Sequence, residues 1–252
     1  MEFTQIMILI CIGLFGGVWN AIAGGATLFT FPALMAAGLP PVVANATNYL
    51  ALLPSNAAAL PAYREELRGL GKNLLPLLNV SGLGAIVGSL LLLVSDPDVF
   101  VLLIPFLILF ATGLFAFGNA LRPFLLSWLG ETHGNRLIYV ALFLSSIYGG
   151  YFGAGLGFIL LAIAQIMGFS DFHVANSIKN LLATSFTILS ILVFGVGGLI
   201  AWPEAVAMMF GSTIGGYAGG RLAKRISTRH LRGVVILFGV VMSLVYFNRT
   251  FL

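Results

Sequence analysis

Residues 16–32 read GGVWNAIAGGATLFTFP, and residues 149–157 read GGYFGAGLG. Both stretches lie inside long apolar blocks, where a glycine within a helix costs about 1 kcal/mol relative to alanine. A run of glycines in such a block therefore predicts a place where the helix breaks. In a membrane protein, broken backbone is tolerated where protein or a water-filled cavity covers it. Such breaks often mark a transport site near the middle of the bilayer.

The composition is that of a membrane protein. Apolar residues make up 60% of the 252 residues and charged residues 8%, which is not the composition of a soluble domain. Because most charges lie between apolar blocks, the net charge of +4 is a topology signal and does not indicate nucleic-acid binding. The single cysteine, Cys11, excludes a disulfide within the chain. Three scattered histidines offer no metal-ligand spacing, so neither a metal site nor a cofactor is predicted.

Eight apolar blocks follow one another along the chain. Six are near the roughly 20 residues that a helix needs to span a bilayer. Blocks 5–38 and 135–168 are longer, and each contains one of the glycine runs. We interpret each long block as a hairpin, either two short helices or a re-entrant pair that meets inside the membrane. The other blocks are 42–62, 73–95, 98–120, 172–196, 202–221 and 230–248.

The positions of the basic residues support the hairpins. Ten of the twelve lie in three connections, 63–72, 121–136 and 221–232, and the positive-inside rule favours the cytoplasm for all three. The three connections share one side only if each long block enters the membrane and returns. The connections 95–98 and 202–204, which carry acids and no base, then face outward, as do both termini.

One hairpin and three spans give each half an odd number of crossings, so the two halves must have opposite orientations. Val43–Asn45 and Val174–Asn176 both read VAN and follow the two hairpins. The sequence therefore predicts an all-α polytopic membrane protein of two inverted-topology halves, 1–121 and 135–252. A polar cytoplasmic connector, 122–134, joins them. Inverted repeats are a common transporter architecture.

Polar residues inside the apolar blocks are few, and they mark candidate site positions. In both halves, small polar residues begin the helix after the broken hairpin, where free N–H groups and the positive end of the helix dipole lie. With the glycine N–H groups, these helix starts would form a donor-rich cavity without a carboxylate, which suits a small oxyanion. The candidate substrate-binding residues are Asn20, Gly24, Gly25, Thr27, Asn45, Thr47, Asn48, Gly153, Gly155, Gly157, Asn176, Ser177, Lys179 and Asn180.

Several of these residues also have a purely structural interpretation. The glycines could be close helix-packing positions, and Asn45 and Asn176 could be ordinary helix caps. Lys179 is the one basic residue expected within a span, where its charge would favour an anion, but it could instead extend to the cytoplasmic interface. The glycines between 211 and 220 fit packing better than binding. They could pack within the chain or against a second protomer, so a homodimer is an alternative.

Five longer patterns run in order through both halves. They read NAIAGGATLFTFPAL, ANATNYLALLPSNAAALPAYR, YGGYFGAGLGF, ANSIKNLLA and GSTIGGYAGGRLAKRI. In these patterns the chain resembles the sulfite exporter TauE/SafE family of membrane permeases. The resemblance implies transport of small sulfur-containing anions, such as sulfite, sulfonates and sulfoacetate-like compounds, in the inner membrane of a prokaryote. It also implies a binding role for all the candidate residues except Thr47 and Ser177.

The sequence thus predicts a secondary transporter, and not an enzyme, whose partners are a small anion and the lipid bilayer. One inverted half would move against the other around the central site. An anion channel or a carboxylate transporter on the same scaffold stays open as an alternative. An intramembrane redox or assembly protein is a remote alternative, because it would need paired thiols, metal ligands or a nucleophile–base pair at membrane depth.

Overall fold

A computed structural model describes residues 2–68, 74–130, 134–169, 171–222 and 228–251. Within these ranges the chain forms eleven α-helices, one 3-10 helix and no strand, so the prediction of an all-α fold is confirmed. The elements are α1 Phe3–Ala23, α2 Thr27–Ala36, α3 Pro41–Ala59, the 3-10 helix Leu60–Tyr63, α4 Arg64–Arg68, α5 Leu75–Val94, α6 Pro97–Gly130, α7 Gly134–Tyr151, α8 Leu156–Ile166, α9 Phe172–Val196, α10 Trp202–Leu222 and α11 Thr228–Phe251.

Four helices, α1, α5, α6 and α9, are long and apolar enough to cross a membrane. Helices α2 and α8 are apolar but shorter. Helix α3 has 19 residues and α10 has 21, but asparagines in α3 and glycines in α10 make them less apolar. The chain is therefore a multi-pass membrane protein. Helix α3 is mostly buried, whereas α10 packs its glycine face against α1 and α3 and exposes large apolar side chains such as Phe210 on its other face.

Both predicted helix breaks are present. Gly24 follows α1 with a φ of 75°, and its N–H donates to the carbonyls of Trp19 and Asn20. Gly153 and Gly155 adopt φ values of 75° and 74° between α7 and α8, a conformation that glycine adopts without steric cost. The arms of each hairpin are unequal, with 21 and 10 residues in the first and 18 and 11 in the second. Each hairpin is thus one long helix and one short returning helix, which differs from a pair of short helices.

The long arm of each hairpin packs in parallel against a helix of the other half. Helix α1 runs in the same direction as α10, and α7 runs in the same direction as α5. The contacts that fix these directions are Gly13–Met208 and Gly17–Ser212 between α1 and α10, and Gly84–Phe143 and Gly88–Ile147 between α5 and α7. Glycine at these positions lets the two backbones approach closely, as in other membrane helix pairs.

The glycines between 211 and 220 pack within the chain. Gly211, Gly215 and Gly219 face the backbone of α1, whereas Gly216 and Gly220 face α3. This glycine face is therefore fully used by helices of the same protomer, and a homodimer would need another surface.

Three short segments, 69–73, 131–133 and 223–227, lie outside the described residues. They fall in the three connections predicted to be cytoplasmic, whose location stays a prediction. The division into repeats 1–121 and 135–252 also stays a prediction, although α6 continues as a helix through the predicted connector to Gly130.

Candidate functional site

A cavity of about 50 Å³ lies where the two helix breaks meet. A space of this size holds a few water molecules or a small ligand. Five helices contribute to its wall: α1, α2, α3, α8 and α9. The lining residues are Asn20, Gly24, Thr27, Asn48, Tyr49, Leu52, Asn56, Phe152, Gly153, Leu156, Gly157, Leu160, Lys179, Ala183, Phe186 and Thr187.

The structure brings half of the predicted site residues to this cavity. The seven that line it are Asn20, Gly24, Thr27, Asn48, Gly153, Gly157 and Lys179. The seven that lie outside its lining are Gly25, Asn45, Thr47, Gly155, Asn176, Ser177 and Asn180. Gly25 and Gly155 belong to the breaks themselves, and the other five lie on α3 and α9.

The two breaks touch each other at the edge of the cavity. A Cβ atom placed on Gly24 would lie 2.6 Å from the Cα of Gly157. No side chain larger than hydrogen fits at Gly24 without displacing the backbone of α8. The first and second halves of the chain are therefore in backbone contact at the site.

Two helix starts face the cavity, and they are those of the short helices. Helix α2 begins at Thr27 and α8 at Leu156, and both residues line the cavity. Their N-cap residues, Ala26 and Gly155, make no side-chain capping bond. The positive ends of both helix dipoles are thus directed toward the cavity.

The sequence predicts other helix starts at the site, those of the helices that follow the two hairpins. Helices α3 and α9 begin at Pro41 and Phe172, seven residues before Asn48 and Lys179, which is about 10 Å along a helix. Their polar clusters therefore present side chains to the cavity from the third turn onward. The spacing of polar residues along one helix does not show which helix ends meet in the folded protein.

Side chains of α9 bind the C-terminal end of α1. The Lys179 ammonium donates to the carbonyl of Asn20 at 3.1 Å and to that of Ala21 at 3.4 Å. The amides of Asn176 and Asn180 also donate to the Ala21 carbonyl, at 3.4 and 3.3 Å. Both carbonyls belong to the last turn of α1, where helix carbonyls lack further intrahelical donors, and the Asn20 carbonyl also accepts from the Gly24 N–H at 3.0 Å. Lys179 is 1% exposed, so it does not extend to the interface.

Side chains of α3 bind the end of α7 in the corresponding way. The Asn45 amide donates to the Tyr151 carbonyl at 2.9 Å, and the Tyr49 hydroxyl donates to the Gly149 carbonyl. Side chains of each half therefore donate hydrogen bonds to the carbonyls at the end of the broken helix of the other half. We call this arrangement the closure of that helix. Both asparagines of the VAN pairs act across the molecule and do not cap their own helices.

The N-terminal end of α9 is capped by a different residue. The Asp171 carboxylate accepts hydrogen bonds from the N–H groups of His173 and Val174, at 2.8 and 3.0 Å. Chiefly because of the bond from Val174, the pKa of Asp171 lies below its usual value. Pro40 occupies the N-cap position of α3.

The wall of the cavity has a polar part and an apolar part. The Asn48 amide donates to the Thr27 hydroxyl at 3.2 Å, while its own oxygen is buried without a partner in the described part of the chain. Among the described residues that line the cavity, Lys179 is the one charged side chain, and none is a carboxylate. Leu160 and Phe186 belong to the apolar part. The arrangement suits binding of a small anion, and the described lining residues include no hydrogen-bonded nucleophile–base pair.

Sequence reasoning missed several lining residues, among them Tyr49, Asn56 and Thr187. A helical period would have found them. Asn45, Asn48, Leu52 and Asn56 follow one another on α3 at steps of three or four residues, which is the spacing of one helical face, and Tyr49 lies four residues after Asn45 on the same face. Thr187 continues the corresponding face of α9.

Comparison with known proteins gives a consistent result. A family model described as sulfite exporter TauE/SafE matches residues 9–246. A probable membrane transporter protein of Haemophilus influenzae is 34% identical over 247 residues, covering 94% of this chain and 92% of the relative. The probable membrane transporter protein YfcA of Escherichia coli K12 is 31% identical over 244 residues, covering 94% and 87%. No solved structure matches the chain.

Proposed function

Because this chain belongs to the sulfite exporter TauE/SafE family of membrane transporters, we propose that it is a secondary transporter of a small sulfur oxyanion. Sulfite and small organosulfonates are the candidate substrates. The cavity between the two helix breaks is the observation that carries this proposal. The relatives are named as transporters, which is a role without catalysis.

The electrostatics of the cavity support an anionic substrate. Two helix N-termini face it, and each carries a partial charge of about +0.5. Lys179 adds the charge of its ammonium group, and none of the described lining residues is acidic. A small anion in this space would exchange its hydration shell for hydroxyl, amide and backbone donors.

The packing supports alternating access of two inverted units, each of which contains helices from both halves of the sequence. A two-fold relation between the halves would match the α1–α10 pair with the α7–α5 pair, and both pairs run in parallel. The same relation would match the closure of α1 by α9 with the closure of α7 by α3. Movement of the unit that contains α1 and α10 against the unit that contains α5 and α7 would keep both close pairs intact, separate Gly24 from Gly157 and open the cavity to one side at a time.

Thermal unfolding of the purified protein with a panel of anions tests the substrate. The panel holds sulfite, thiosulfate, sulfate, sulfoacetate, isethionate, taurine and simple carboxylates. A ligand at a hundredfold excess over its Kd stabilises the folded state by about 2.7 kcal/mol. We expect a sulfur oxyanion to raise the Tm of the wild type and to have no effect on Lys179→Met. A rise with carboxylates alone would contradict the sulfur substrate and favour the carboxylate alternative.

Flux into proteoliposomes separates a transporter from a channel. A transporter that binds its substrate at one central site saturates and shows counterflow, in which unlabelled substrate inside the vesicle drives uptake of labelled substrate. We expect both with the anion identified by thermal unfolding. Uptake that stays linear with concentration and shows no counterflow would instead favour the anion channel.

A further inference from the structure

The Lys179 ammonium has backbone carbonyls as its hydrogen-bond partners. It lies at the C-terminal end of α1, 3.1 Å from the Asn20 carbonyl and 3.4 Å from the Ala21 carbonyl. The same side chain lines the cavity. Lys179 therefore binds the end of the broken helix through its ammonium and also borders the space for an anion.

A free cation would be expected at such a place. In transporters with discontinuous helices, the carbonyls at the end of a half-helix coordinate the coupling Na⁺. The end of a helix carries a partial negative charge of about 0.5, which attracts a cation. In this chain the ammonium group of Lys179 contacts the carbonyls of Asn20 and Ala21 at the place where a free cation would bind.

Among the described residues, the donors at the other helix break are neutral. Asn48 is the counterpart of Lys179 in the VAN alignment of the two halves, three residues after Asn45 as Lys179 is after Asn176. Its amide donates to Thr27 on α2, and the end of α7 is closed by the neutral donors Asn45 and Tyr49. The cation position is thus confined to the break of α1.

We propose that the Lys179 ammonium takes the place of a coupling cation, so that this transporter binds its anion without Na⁺. The proposal rests on the proposed function for the identity of the anion. When the cavity is empty, the ammonium compensates the partial negative charge at the C-terminal end of α1. When the cavity is filled, the ammonium also interacts with the bound anion. No alkali cation is then required to assemble the site.

The wild type provides the first test. The anion-induced rise in Tm is measured in sodium, potassium and choline chloride at equal ionic strength, and flux is measured in the same three salts. We expect values within about twofold of one another in all three. Binding or flux that occurs only in sodium would overturn the proposal.

The second test removes the attached cation. Lys179→Ala leaves the carbonyls of Asn20 and Ala21 next to a space that a small cation can enter. Methylammonium at about ten times its Kd should raise the Tm of this variant by about 3 °C and restore part of the anion-induced shift, whereas choline is too large and should do neither. Absence of any methylammonium effect on a folded variant would contradict the proposal.

Two further variants serve as controls. Asn48→Ala opens a similar space at the matching position of the first half, next to the N-terminus of α2. This helix end carries partial positive charge and does not attract a cation, so methylammonium should leave the Tm of Asn48→Ala unchanged. A rise in Tm of Asn48→Ala equal to that of Lys179→Ala would show nonspecific binding and overturn the proposal. If Lys179→Ala does not fold, the wild-type comparison in three salts still decides.

The methylammonium test does not depend on the identity of the anion. If no anion shifts the Tm of the wild type, the proposed function fails. The Tm of Lys179→Ala with methylammonium, read without any anion, still reports whether the break of α1 is a cation position. The two failures are therefore distinguishable.

Discussion

Asn45 acts on the site through the helix that it closes. Its amide donates to the Tyr151 carbonyl at the end of α7, and its side chain lies outside the cavity lining. Asn45→Leu removes this donor, which should lower the free energy of unfolding by about 1–3 kcal/mol, because a buried carbonyl loses its partner. Chemical denaturation measures the loss.

The expected effect of Asn45→Leu on anion affinity is smaller than that of Lys179→Met. Ser190→Ala is the control for the loss of a buried polar atom, because the Ser190 hydroxyl has no partner in the described part of the chain. Its stability should change little. Equal stability of Asn45→Leu and the wild type would contradict the closing role of Asn45.

Gly24 is constrained by its conformation and by its neighbour. Its φ is 75°, and a Cβ would lie 2.6 Å from Gly157. Gly24→Ala therefore has a conformational cost of about 1–2 kcal/mol and an added cost of displaced backbone. Gly38→Ala is a matched control, because Gly38 has a φ of 98° and no atom within 4 Å of the added Cβ. Gly24→Ala should lower Tm more than Gly38→Ala, and an equal loss would show that the contact with Gly157 is unimportant.

At the scale of the element, the glycine face of α10 determines how closely α1 approaches. A Cβ on Gly215 would meet the Leu14 carbonyl, so Gly215→Val forces the two backbones apart. Overpacking of this kind should lower the free energy of unfolding by about 3 kcal/mol. Gly233→Val in α11 is the control, because no atom lies within 4 Å of its added Cβ. Comparable Tm values for the two variants would contradict the close pairing of α1 with α10.

The helices and their breaks could be predicted from the sequence because hydropathy and glycine are local signals. The predicted block 172–196 and α9 have the same limits, and both glycine runs interrupt helices. The role of the polar clusters could not be predicted in the same way. Asn45 and Asn176 were expected near free helix starts, but each donates to a carbonyl more than 100 residues away. Such a partner is set by tertiary packing and leaves no trace in the spacing of one helix.

At the scale of the whole molecule, the charge pattern predicts which side faces the cytoplasm. Asp96 and Arg68 are exposed and lie beyond opposite ends of α5, which at 20 residues is about 30 Å long. In a Cys11→Ser background, Asp96→Cys should react with a membrane-impermeant maleimide in intact cells. Arg68→Cys should react only after the membrane is permeabilised. The reverse labelling pattern would contradict the predicted orientation.

The family and the membrane class could be predicted for the whole chain, because composition and motifs extend from end to end. The identity of the seven lining residues among the fourteen candidates could not, since the cavity is formed by five helices from both halves. Lys179 shows the limit clearly. Its place within a span was visible in the sequence, but its partners on α1 lie about 160 residues earlier in the chain.

The pairing of α1 with α10 also has a consequence for biosynthesis. Helix α1 leaves the ribosome roughly 180 residues before its partner, a delay of about 10–40 s at ordinary elongation rates. During that time its glycine-lined groove and its open carbonyl end have neither α10 nor Lys179 to cover them. The nascent N-terminal half is therefore an intermediate in the bilayer in which these surfaces of α1 are not yet covered. Chains truncated before α10 should be recognised and degraded by membrane proteases.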